Sequence, residues 1–104
     1  MQLLTQELRK ALPPLYSGEA QGTAALALVK FFTPDAGWTW YASEFDGEDI
    51  FFGLCVGDMP ELGYFSLSEL ERVRGKFGLS VERDLSFEPT PLEVLLQTHR
   101  LAAV

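Results

Sequence analysis

The stretch Trp38-Thr39-Trp40-Tyr41-Ala42-Ser43-Glu44-Phe45-Asp46-Gly47-Glu48-Asp49-Ile50-Phe51-Phe52-Gly53-Leu54-Cys55-Val56 decides the fold. Two aromatic-rich runs flank an Asp-Gly, a strong hairpin signal, so strands are expected over 38–45 and 50–56. A loop of two or four residues places Thr39, Tyr41, Ser43 and Phe45 on one face with Ile50, Phe52 and Leu54. Trp38, Trp40, Ala42 and Glu44 then share the other face with Phe51, Gly53 and Cys55; a three-residue loop reverses the parity. A two-residue loop sets Glu44 opposite Asp49, a destabilising like-charge pair, so the four-residue loop is expected.

Working outward, 24–32 reads as a strand ending in the turn Thr33-Pro34-Asp35-Ala36-Gly37. On the other side, Gly57-Asp58-Met59-Pro60 turns into a short strand, 62–65, completing a meander. Before it, Leu4, Leu8 and Leu12 line one stripe of a first helix that Pro13-Pro14 stops, and 16–23 is a polar loop. After it, Ser66-Leu67-Ser68-Glu69 is a capping box opening a helix to about Arg74, with Gly75 as its stop. Residues 78–87 read as a last strand with irregular ends. Thr90-Pro91-Leu92-Glu93 forms a second capping box for a helix to about Leu101. The expectation is a single α+β domain over 1–104: an antiparallel four- to five-stranded meander with three short helices packed mainly on one face.

Composition agrees with one core. The 104 residues are 47% hydrophobic and 22% charged, and eight Phe, three Tyr and two Trp can close a core without metal or disulfide staples. The single cysteine, Cys55, excludes an intrachain disulfide and lies in an apolar run, where it reads as a small buried hydrophobe. No apolar run reaches the about 18 residues of a membrane span, and none near the N-terminus fits a signal peptide, so a cytoplasmic location and no membrane partner are expected. Eight basic against fifteen acidic residues leave a net charge of −7, which repels phosphate backbones and argues against a nucleic-acid partner.

The candidate site residues lie on the hairpin. Glu44, Asp46, Glu48 and Asp49 put four carboxylates within six residues, the kind of oxygen cluster that Mg²⁺ or Ca²⁺ prefers. Asp46, Glu48 and Asp49 are thus metal candidates, although acids at a hairpin tip usually serve as solvated turn chemistry. Trp38, Trp40 and Tyr41 supply the aromatic density that single-strand binders use for stacking, whereas aromatics on a strand are usually core. Gly75-Lys76-Phe77-Gly78, with Arg72 and Arg74 beside it, superficially copies a KH-type clamp and reads more simply as a helix end followed by a turn. Glu82-Arg83-Asp84 reads as a local ion-pair cluster on a strand end. His99 is the only histidine, no serine sits in a Gly-x-Ser-x-Gly elbow, and Cys55 has no base beside it in sequence.

Several stretches together resemble one bacterial family. Lys30-Phe31-Phe32-Thr33-Pro34-Asp35, Trp38-Thr39-Trp40-Tyr41, Glu44-Phe45-Asp46-Gly47-Glu48-Asp49 and Phe51-Phe52-Gly53-Leu54 are similar to Domain of Unknown Function 2958. So are Leu62-Gly63-Tyr64-Phe65-Ser66-Leu67-Ser68-Glu69-Leu70, Glu82-Arg83-Asp84, Leu3-Leu4-Thr5 and Leu12-Pro13-Pro14-Leu15. The resemblance spans about residues 3 to 95 and transfers no catalytic residue. It implies small bacterial proteins often found on mobile elements.

The expected function is therefore a non-enzymatic accessory protein that binds a protein partner through its acidic and aromatic surface, for example by imitating DNA. Trp38, Trp40, Tyr41, Glu44, Asp46, Glu48 and Asp49 are the partner-binding candidates. No cofactor is expected, and self-association into a homo-oligomer is open. The alternatives are a metal-dependent hydrolase using the hairpin carboxylates and a single-strand binder using the tryptophans. The tryptophan face is expected to be the less buried one, beside a pocket rimmed by Glu44 and Asp49.

Overall fold

The computed structural model describes residues 1–102. In chain order these form α1 (Gln6–Ala11), a 3-10 segment (Glu19–Ala24), β1 (Leu26–Ala27), β2 (Val29–Phe32), β3 (Thr39–Phe45) and β4 (Ile50–Val56). Then come β5 (Pro60–Ser66), α2 (Leu67–Arg72), β6 (Glu82–Arg83), β7 (Thr90–Pro91) and α3 (Leu92–Ala102). Five strands make one antiparallel sheet in the order β5-β4-β3-β2-β6, and β1 pairs with β7 in a separate two-stranded ladder. The α+β meander is as the sequence indicates.

The hairpin facing differs from the expectation, and a β-bulge is the reason. Register runs Thr39↔Val56 through Ala42↔Gly53, as a two- or four-residue loop requires, then steps to Glu44↔Phe52 and Phe45↔Phe51. Ser43 is the extra residue, and its Oγ donates to the Phe52 carbonyl at 3.2 Å. Beyond it the parity is that of a three-residue loop, closed by Asp46 N–H donating to the Ile50 carbonyl at 2.9 Å. Phe45 therefore joins the aromatic stack of Phe51 and Phe65, with centroids 4.6 and 5.1 Å apart, and Glu44 turns to the opposite face beside Phe52.

The helices divide between the two faces. Leu4 and Leu12 flanking α1, and Leu67 and Leu70 of α2, pack with Val29, Phe31, Phe45, Phe51 and Phe65. On the other face α3 lays Leu92, Leu95 and Leu96 over Tyr41, Leu54 and Ala27. Two helices thus cover one face and α3 the other, so both faces of the hairpin can be apolar. Close approach of β3 and β4 requires Gly53, where a Cβ would collide with the Tyr41 carbonyl.

Smaller differences follow from long-range pairing. Residues 24–32 split into a 3-10 end and two short strands, and the expected 78–87 strand is reduced to Glu82–Arg83, paired with Phe32 and Phe31, and an isolated bridge from Ser80 to Arg74. Thr5 caps α1 and Ser66 caps α2, accepting from Leu8 N–H and Glu69 N–H. Thr90 does not act as an N-cap: its residue pairs with Ala27, and its hydroxyl donates to the Glu88 carbonyl. No helix among the described residues is long and apolar enough to cross a membrane.

Candidate functional site

Glu44 is 6% exposed, and both its carboxylate oxygens are occupied. Oε1 accepts from Tyr16 N–H at 2.9 Å and Oε2 from Gly18 N–H at 2.8 Å, so one side chain on β3 shapes the loop after α1. The loop bends to make this contact: Tyr16 takes φ 71°, a left-handed conformation costing a non-glycine residue roughly 1 kcal/mol. Gly18 is the close approach, since a Cβ there would stand 2.7 Å from Oε2. The donors are neutral, and among the described residues the one ion pair joins Lys30 to Asp84 at 3.5 Å, so no cation offsets Glu44.

This carboxylate lies in the wall of a cleft of about 270 Å³ between the 3-10 segment, the bulge, β5 and the start of α3. Tyr16, Phe52, Leu62, Tyr64 and Leu92 give it apolar walls, and no lysine, arginine or histidine lines it. Its mouth is aromatic. Tyr16 is 60% and Tyr64 55% exposed, their rings meeting edge to face at 6.5 Å, and Phe52 meets Tyr64 edge to face at 5.2 Å. The Tyr64 phenol is held above its ordinary pKa, first by the neighbouring Tyr16 phenol and then by the carboxylates of Glu44 and Glu19. Thr23 Oγ1 donates to Glu93 Oε2 at 3.3 Å, which places another acid beside the cleft.

Of the candidates from the sequence, Glu44 alone lines this cleft. Asp46 Oδ1 accepts three backbone N–H groups, from Glu48, Asp49 and Ile50 at 2.8, 2.8 and 3.0 Å, which lower its pKa. Asp49 is occupied by α2: its Oδ1 accepts from Ser68 N–H at 2.8 Å and its Oδ2 from Ser68 Oγ at 2.9 Å. Glu48 is exposed at the tip. Among the described residues no three His, Cys, Asp or Glu side chains converge as a metal-ligand group. Tyr41 is buried beneath α3, where its hydroxyl lies 2.7 Å from His99 Nε2.

The tryptophans are on the α1/α2 side of the sheet, away from the cleft. Trp40 is half-buried against that core, while Trp38, 41% exposed, meets it edge to face at 6.5 Å. The expected pocket beside them, rimmed by Glu44 and Asp49, is corrected: the bulge sends Glu44 to the other face, and Asp49 serves as a helix anchor. The Gly75–Gly78 segment is a tight turn, with Gly78 N–H donating to the Gly75 carbonyl and Asp35 Oδ2 accepting from Phe77 N–H at 2.8 Å. Asp84 pairs with Lys30, and Arg83 donates to the Gln2 and Leu3 carbonyls, so Glu82-Arg83-Asp84 is tied to other segments rather than to itself.

The sequence reading missed Tyr16, Phe52, Leu62 and Tyr64 as a group. Its one available signal was Leu62 and Tyr64 at alternate positions of a strand, which shares a face but does not say that the face is open. Residues 3–103 match the family model described as "Protein of unknown function (DUF2958)". No curated protein and no solved structure matches the chain.

Proposed function

We propose that this chain, which belongs to the DUF2958 family of proteins of unknown function, is a non-enzymatic binding protein whose cleft takes a cationic side chain of a protein partner. One observation carries this reading: the Glu44 carboxylate is buried without a counter-cation in the wall of an aromatic cleft. Aromatic walls favour a cation on an apolar stem, through ring faces and through desolvation of the stem. A fixed carboxylate held by neutral N–H groups adds attraction, strengthened where water is excluded. Lysine and arginine combine the stem with the charge. The partner surface is then basic, complementary to a chain of net charge −7. On this reading the protein is a cytoplasmic accessory factor of the bacterial mobile-element kind that the family resemblance implies.

Amide chemical shifts titrated to millimolar concentration with capped Gly-Lys-Gly, Gly-Arg-Gly and Gly-norleucine-Gly test it. Shifts at Tyr16, Gly18 and Tyr64 with the lysine or arginine peptide, and their loss in Tyr64→Ala, are expected. Equal shifts with norleucine, or none with any peptide, would refute the reading.

A further inference from the structure

The sheet ends on one side in β5, a seven-residue strand paired with β4 along its whole length, from Val56↔Pro60 to Ile50↔Ser66. Its other side has no strand neighbour among the described residues. The opposite edge is the two-residue β6, short enough to offer little template. Exposed edges are normally blunted by lysine, internal proline, bulges or brevity. β5 has none of these: its proline is the first residue, it contains no lysine, and its register with β4 is unbroken. Its exposed residues are Glu61, its one charged side chain, and the apolar Leu62 and Tyr64, 40% and 55% exposed.

We infer that β5 pairs antiparallel with β5 of a second copy about a two-fold axis through Gly63, joining two five-stranded sheets into one. The sequence fits this register. Directly opposite residues must share a sheet face, so the axis falls on a residue. Centred on Gly63, it is the register that pairs the whole strand end to end: Pro60 with Ser66, Glu61 with Phe65, Leu62 with Tyr64, and Gly63 with itself. Leu62 against Tyr64, twice, is an apolar–aromatic cross-strand pair of the stabilising kind. The one charged residue of the strand, Glu61, meets Phe65 rather than its own copy, so no like charges stand opposite. A centre on Leu62 would set Phe65 and Ser66 opposite Met59 and Asp58, outside the strand, and a centre on Tyr64 would run Glu61 into α2. Such an interface is isologous and closed, leaving no further free β5 edge to propagate. It uses Leu62 and Tyr64, which also wall the cleft, but rests on the register of the strand and not on what the cleft takes.

The test is a single-cysteine scan in a Cys55→Ser background combined with sedimentation velocity. A Cβ at position 63 meets nothing within 4 Å, so Gly63→Cys is accommodated. Its Cα would lie about 5 Å from its counterpart, within disulfide reach. The expected result is a species of twice the monomer mass at roughly 100 μM protein. Gly63→Cys should form a cross-linked dimer under mild oxidation at least tenfold faster than Leu62→Cys or Tyr64→Cys. Leu62→Lys should give a monomer with an unchanged circular dichroism spectrum. A monomer of the wild type at that concentration overturns the inference and leaves the edge to an extended segment of another protein. Cross-linking no faster at 63 than at 62 or 64 overturns it as well.

Discussion

Glu44 and Gly18 are fitted to each other: Oε2 accepts the Gly18 N–H at 2.8 Å, and a Cβ on Gly18 would stand 2.7 Å from that same oxygen. With the carboxylate in this position a side chain at residue 18 has no room unless Glu44 shifts, even though Gly18 has ordinary negative φ. Gly18→Ala should push the carboxylate off at least one of its donors while it stays shielded from water. A loss of about 2 kcal/mol is expected, the cost of leaving a charged acceptor under-satisfied. Urea unfolding of the variant measures it, and an unchanged midpoint would show that Glu44 can move aside freely.

Tyr41 and His99 tie β3 to α3, and their contact carries a pH dependence. The imidazole is half-buried, and burial first and the Lys30 ammonium second hold its pKa below the ordinary 6.5. Asp84, the partner of Lys30, also bears on Tyr41, whose phenol is raised first by burial and then by that carboxylate. Because the folded chain binds this proton less readily than the unfolded chain, the contribution of His99 is complete above 6.5. It is lost as pH falls through that value towards the folded pKa. His99→Gln should flatten the stability–pH curve between about pH 5 and 7. A wild-type curve already flat in that window would contradict the assignment.

Cys55 lies half-buried on the α1/α2 side, and its thiol is raised to about 11 by burial first and by Glu61 and Glu69 next. Thiolate is the reactive form, so the folded protein should react slowly with a disulfide reagent at about pH 8. Denaturant should accelerate labelling by at least about tenfold. Rapid labelling of the native protein at that pH would mean that the thiol is more accessible than the packing implies.

Deleting Ser43 should leave the fold in place. With the extra residue gone, Ala42↔Gly53 and Glu44↔Phe52 become consecutive pairs, and Glu44 and Phe45 keep their present faces. The lost hydrogen bond to the Phe52 carbonyl should cost about 1 kcal/mol. A one-residue insertion at the same place should be far worse, because it changes the phase of the hairpin tip. Amide spectra of the two variants separate these outcomes.

Local chemistry was legible in the sequence, and long-range chemistry was not. The Asp-Gly hairpin, the bounds of β4 and the Ser66 cap each depend on residues within a few positions of one another. The bulge was hidden because both faces of the hairpin are apolar: alternation that does not distinguish faces cannot reveal a slip of phase. The loop 16–18 is shaped by a carboxylate 26 to 28 positions away, and its spacing carries no trace of that. Thr90 has the composition of a cap but is claimed by a ladder with Ala27, and such competition is decided by tertiary pairing.

Asp46 has a consequence for the order in which the chain folds. Its Oδ1 gathers three N–H groups no more than four residues away, so the turn can close with almost no loss of chain entropy. The β3–β4 hairpin is then expected to nucleate early, with β5 adding next across its own short turn. The contacts that Glu44 makes with the 16–18 loop, and α3 with Tyr41, bridge much longer separations and belong late in folding. Substitutions at Asp46 should slow refolding, whereas those at Gly18 and His99 should mainly speed unfolding. Stopped-flow folding and unfolding rates of the three variants would distinguish this order from one in which α3 docks first.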